Sequence, residues 1–183
     1  NVLLGEGRGF EISQLRLGPG RIHHCMRSIG QAEKALDLMA RRGLSREAFG
    51  KKLAHLGGNM QIIAQARCEI EAMRLMVLKA AKAMDVMGNR EARLWVHMVK
   101  ALVPERVCLI IDQAIQMHGA LGVSQHTPLA HMYASARTIP RDLAWASAPL
   151  SSRRIMKNRA DPRLTTIAMK ANTTKYVMAG IIR

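Results

Sequence analysis

The sequence predicts an all-α protein: an up-down four-helix bundle followed by a basic, poorly ordered C-terminal tail. Three observations carry that prediction. Apolar residues make up 49% of the chain but aromatics only 3%. Leu, Ile, Met and Ala must therefore fill the core, which suits packed helices better than a sheet of aromatic and β-branched residues. Thirteen methionines supply flexible thioethers for irregular gaps between helices. Apolar residues also recur at three- and four-residue steps up to about residue 139, and lose that spacing afterwards.

Each element follows from local signals. Residues 1–15 contain Gly5, Gly7 and Gly9, and glycine costs a helix about 1 kcal/mol per position. They read as a turn leading out of a preceding domain; a phosphate cradle would need a flanking βαβ unit. The first helix is expected from Pro19, suited to a first turn, to about Arg42, with Ile22, Met26, Ile29, Ala32, Leu36 and Met39 facing inward. The second should begin near Phe49 or Leu53, weakly because of Gly57-Gly58, and end at Gly88-Asn89. Its inner side comprises Ile62, Ile63, Ala66, Ile70, Met73, Val77, Ala80 and Met84.

A third helix spans about Arg90 to Met117, with a bend at Pro104, which cannot donate a backbone bond. Its expected inner residues are Leu94, Met98, Ala101, Leu102, Val107, Ile110, Ile111, Ala114 and Ile115. A break at Gly119 to Gly122 precedes a fourth helix near Pro128 to Arg137. Long antiparallel helices with short loops make an up-down bundle over 16–139. Beyond it, 140–183 is rich in Pro, Ser, Thr and Arg, and offers only a short helix around Leu164 to Val177.

The formal charge is +15, of which residues 141–183 hold +7. Such a balance suggests nucleic-acid binding, but the basic residues alternate with Glu33, Asp37, Glu69, Glu71 and Asp85, and neither a reader motif nor an aromatic stacking set is present. A solvated face, or a surface receiving a phosphate-bearing cofactor, fits better. Cys25, Cys68 and Cys108 fall in apolar stretches and read as buried free thiols of an intracellular protein. No run reaches the length of a membrane span, no signal peptide appears, and a start at Asn1 reads as a fragment. The seven histidines lack metal-ligand spacing.

Three motifs stand out in order: Leu17-Gly-Pro-Gly-Arg-Ile22, Ser45-Arg-Glu-Ala-Phe-Gly-Lys51 and Gln116-Met-His-Gly-Ala-Leu-Gly122. Together, over about residues 5 to 139, they resemble the C-terminal domain of the acyl-CoA dehydrogenase family, in its Leu-Gly-Pro-Gly-Arg-Ile-His-His branch. In that family a helical domain and a β-domain precede the bundle. The resemblance implies FAD as cofactor, an acyl-CoA thioester oxidised between its α and β carbons to the 2-enoyl-CoA, and homodimers paired into tetramers. It also implies an electron-transfer flavoprotein as acceptor and, in a eukaryote, a mitochondrial address.

Carried over residue by residue, Arg21 lies near the acyl-CoA site, where a forked guanidinium suits carbonyl or phosphate contacts. Arg46 and Phe49 meet FAD of the neighbouring subunit, the first addressing its phosphates or adenosine. Gln116, Gly119 and Ala120 complete the cofactor contacts; the family has a second glycine where Ala120 stands. Read without the resemblance, Arg21 is a helix arginine paired with a carboxylate, Phe49 a core residue, and Gly119 a helix cap with Gly122 a turn glycine.

Removal of the α-proton needs a carboxylate at the α-carbon. Relatives keep it on the loop before the last helix, where Asp142 is the nearest acid but is displaced and lacks the usual Gly-Pro, or directly before the first-helix arginine, where Gly20 stands. The similarity ends near 139, as a changed exon or reading frame would end it. The chain therefore reads as an inactive fragment of an acyl-CoA dehydrogenase. A second reading is a helical oligomerisation module derived from that family without catalysis. A third is nonspecific binding to nucleic acid or an anionic membrane through the tail.

Overall fold

The computed structural model describes residues 2–139; the expected tail, its short helix and Asp142 lie outside the described residues. The fold is an all-α bundle. In chain order it comprises α1 (Gly9–Ser45), a two-strand hairpin β1 (Glu47–Ala48) and β2 (Lys51–Lys52), a 3-10 turn (Leu53–His55) and α2 (Asn59–Glu91). Then come α3 (Arg93–His118), a second 3-10 turn (Gly119–Val123) and α4 (Leu129–Arg137).

The core follows the helical apolar spacing. Ile22, Cys25, Ile29, Ala32, Leu36 and Met39 of α1 pack with Ala66, Ile70, Met73, Val77 and Ala80 of α2. Val96, Val99, Val103, Val107, Ile110, Ile111 and Ala114 of α3 complete the cluster, closed by Leu129, Met132 and Ala136 of α4. Each fully buried large side chain contributes about 1.5–3 kcal/mol.

Several boundaries and facings differ from expectation. α1 starts ten residues before Pro19 and runs through it, although the ring removes one N–H bond and crowds the preceding turn. Gly5 and Gly7, at φ 89° and 77°, stay outside the helix. α2 starts later than expected, at Asn59, because Gly50 and Gly57 take positive φ (74° and 53°) and bend the chain first. In line with the expected end at Gly88-Asn89, helical geometry breaks at Gly88 (φ 79°, ψ 168°) within the span of α2, and α3 continues through the buried Pro104. Met26, Met98 and Leu102, expected inside, are exposed. The inward face of α3 is set by Val96, Val99 and Val103, one to two residues out of phase with the expected stripe. Cys25 is buried, but Cys68 is exposed and Cys108 intermediate.

Cross-helix contacts set the relative level of the helices. Arg67 of α2 pairs with Glu33 of α1, Arg106 of α3 lies 3.4 Å from Glu69 of α2, and Cys25 Sγ lies 3.9 Å from the Val99 carbonyl oxygen. These contacts agree on one arrangement: α1 and α3 run the same way, with α2 antiparallel between them. The ion pairs themselves are surface pairs worth roughly 0–1 kcal/mol each. Their alignment places the C-terminal ends of α1 and α3 together.

Candidate functional site

At that shared end the chain leaves α1 through a tight, unusual turn. The Arg46 N–H donates to the Arg42 carbonyl at 3.0 Å, and the Leu53 N–H donates to the Arg46 carbonyl at 2.8 Å. Between them, Glu47 pairs with Lys52 and Ala48 with Lys51, leaving Phe49-Gly50 as a two-residue loop. Both loop residues have positive φ, 51° and 74°, as a type I′ hairpin turn requires. Gly50 takes that conformation freely, whereas a side chain there costs about 1–2 kcal/mol. Phe49 bears the cost while 96% exposed. An ion pair between Lys52 and Glu47 closes the hairpin, and the Lys52 hydrogen bond holds the Glu47 carboxyl below its ordinary value.

The last turn of α3 forms the other half. Gln116 is exposed, and its carbonyl accepts the Gly119 N–H. Gly119 leaves the helix at φ 62°, ψ −141°, with open space where a Cβ would stand. Ala120 is also exposed. His118 anchors the turn from inside, its Nδ1 lying 2.8 Å from the Ala114 carbonyl oxygen. Gly122 is more than a turn residue. A Cβ there would lie 2.5 Å from the Ile115 carbonyl oxygen, so only glycine lets this loop fold back against α3. Immediately after it, an open depression of about 630 Å³ is lined by Ser124, Gln125, His126, Thr127 and His131, among others.

Five of the expected cofactor residues, Arg46, Phe49, Gln116, Gly119 and Ala120, thus share one end of the bundle. Phe49 is not the core residue that its apolar side chain alone suggests. Arg21 stands apart from this group: 25 residues before Arg46 on α1, it sits about 37 Å away along the axis at 1.5 Å per residue. It is partly buried, and burial lowers its pKa. It has an interaction of its own. Gly20 beside it offers no acid or base. His55 is exposed. Among the described residues, no group of His, Cys, Asp and Glu could hold a metal, and no helix is long and apolar enough to cross a membrane.

Comparison with known proteins decides the family. The acyl-CoA dehydrogenase C-terminal domain matches residues 7–140. The chain belongs to the acyl-CoA dehydrogenase family. It is 56% identical over 139 residues to rat acyl-CoA dehydrogenase family member 11, covering 76% of this chain and 18% of that one. A Mycobacterium abscessus structure classed with the acyl-CoA dehydrogenases superposes with a TM-score of 0.77 at 44% identity, over 85% of this chain and 39% of that one. Butyryl-CoA dehydrogenase from Megasphaera elsdenii superposes with a TM-score of 0.69 at 26% identity, over 78% and 38%. The chain thus spans well under half the length of these acyl-CoA dehydrogenases.

Sequence reasoning missed two groups beside Arg21. His97 and Lys100 are 4% and 8% exposed on α3, where an apolar stripe predicts hydrophobic neighbours only. The available signal was their three-residue spacing, which puts both on one helix face.

Proposed function

We propose that this chain is the C-terminal bundle of an FAD-dependent acyl-CoA dehydrogenase, with 1–15 as a lead-in from a preceding domain and 16–139 as the bundle. It walls the cofactor of a neighbouring subunit in an enzyme that oxidises the α–β bond of an acyl-CoA thioester. The observation that carries this reading is the convergence at one end of an exposed, conformationally strained Phe49, a guanidinium at Arg46 and an open backbone turn at Gln116–Ala120.

These groups fit a dinucleotide. The Arg46 side chain offers forked donors to phosphate oxygens. Phe49, projected into solvent, offers a flat apolar face for a ring system. The backbone at Gly119 is open to close approach, and the Ala120 methyl narrows that approach at one position only. FAD, when bound, supplies the acceptor for the hydride leaving the β-carbon. Arg21, distant from this end, serves instead the acyl thioester of its own subunit. A site split across a subunit boundary requires self-association, and paired dimers passing electrons to an electron-transfer flavoprotein complete the reading. Mitochondria are the corresponding compartment in a eukaryote. Neither Gly20 nor any other described residue at that position supplies a base for the α-proton, so the chain by itself is expected to be inactive.

The test is FAD added to the 183-residue chain, with backbone amide shifts followed by NMR. Shifts confined to 46–50 and 116–131, and reduced at least tenfold in apparent affinity by Arg46→Gln or Phe49→Ala, are expected; a lost charge-assisted hydrogen bond is worth about 1.5–3 kcal/mol. Absence of shifts there, with the chain still exchanging into a full-length relative, would leave the oligomerisation module as the correct reading.

A further inference from the structure

At the opposite end from the hairpin, the seam between α1 and α3 holds an unusual concentration of buried positive charge. Arg21 and Cys25 are one turn apart on α1, and His97 and Lys100 are one turn apart on α3. The 3.9 Å approach of Cys25 Sγ to the Val99 carbonyl sets these two pairs against each other. His97 and Lys100 are 96% and 92% removed from solvent, being 4% and 8% exposed. Among the described residues, neither makes a hydrogen bond or ion pair, while Arg21 has an interaction of its own and adds field rather than a vacant donor.

The surrounding charges are of one sign. His97 faces Arg21 and Arg93; Lys100 faces Arg21 and the Cys25 thiol; His24 faces Lys100 and Arg27. None of these neighbours is a carboxylate. Burial, followed by those cations, pushes both His97 and His24 below the ordinary imidazole value, and burial foremost lowers Lys100. Arg93 is spent on the Arg90 carbonyl at 2.9 Å. The Lys100 ammonium has no carboxylate beside it and reaches solvent only through the 8% of the residue that is exposed; charged groups this enclosed are ordinarily paired or hydrogen-bonded.

α4 does not cover this place. Its nine residues run back along α3 for about 13 Å, ending at the level of Cys108, which feels the Arg137 charge. Lys100 lies two turns further on.

We propose that the seam at Lys100 and His97, with Arg21 behind them, is a seat for one carboxylate, its two oxygens taken by the ammonium and the imidazole. A monoanion with two acceptor atoms matches two donors one helical turn apart. A phosphate would bring about −1.5 to −2 charges and a larger desolvation penalty into a site this enclosed. The carboxylate comes either from the polypeptide itself or from solution. Asp142, the first acid of the sequence after Arg137, is the candidate from the polypeptide.

The experiment follows the titration of Lys100 in the 183-residue chain carrying 13C-labelled lysine, its signal assigned by loss in Lys100→Arg. It compares sodium chloride with sodium acetate at equal ionic strength. A midpoint below the ordinary lysine value in chloride that rises by about 1–3 units in acetate identifies a seat for dissolved carboxylate. A midpoint at or above the ordinary value in chloride supports a seat filled by the chain only if it falls by a similar amount in Asp142→Asn; an ordinary midpoint unmoved by that substitution is that of a hydrated lysine and overturns the proposal. A low midpoint in both salts overturns the proposal. The seat is remote from the hairpin end, so this result is independent of FAD binding.

Discussion

Phe49 shows at the scale of one residue where sequence reasoning succeeds and fails. The motif around it marks a candidate cofactor position, while its apolar side chain argued for burial; the backbone, turning through positive φ, leaves the ring 96% exposed. Arg46, Gln116, Gly119 and Ala120 were grouped by motif order alone, and the structure places them at the same end of the bundle. His97 and Lys100 were not legible: their burial depends on α1 lying against α3, a relation between residues more than seventy positions apart. His97 makes a measurable prediction. Burial lowers its pKa, so between the depressed folded value and the ordinary 6.5 the unfolded chain binds more protons. Stability is therefore expected to be complete above pH 6.5 and to fall as the pH drops below it. Denaturant unfolding from pH 7.5 to 5 checks this, and His97→Leu should flatten the slope.

Among the elements, the long helices were readable because their apolar spacing is sustained over many turns. Their ends were not. Pro19 has the chemistry of a first turn, yet α1 begins at Gly9. α3 likewise continues through Pro104, while Gly88, read from the sequence as the end of the second helix, takes positive φ and breaks the helical geometry three residues before α2 ends. The 3-10 turn after α3 rests on a steric fact that no pattern displays: the near-contact at Gly122. Gly122→Ala is expected to destabilise the fold by about 1–3 kcal/mol, as overpacking does. Melting of the variant, with wild-type helicity retained at low temperature, checks this.

At the scale of the bundle, the buried core is continuous, and several large apolar side chains remain exposed on α2 and α3. Leu75 and Leu78 on α2 are 66% and 56% exposed, and Leu102 and Leu109 on α3 are 37% and 42% exposed. Exposed apolar surface of this kind marks an interaction face when it is contiguous. Self-association follows from the proposed function, and Leu75→Asp tests it: sedimentation should show a smaller species at equal concentration, with unchanged helicity. An unaltered size would place the contact between copies elsewhere.

The strained hairpin bearing Phe49 has a practical corollary. A ring that touches almost nothing within its own chain contributes little to holding that chain together, so changes there escape any assay of thermal robustness. Under the proposed function, damage at this corner announces itself only in company, as poor cofactor retention by an otherwise sound protein. Replacing Phe49 with glycine or asparagine would even relax the turn. Variant surveys that rank harm by lost stability would thus pass over substitutions at this corner.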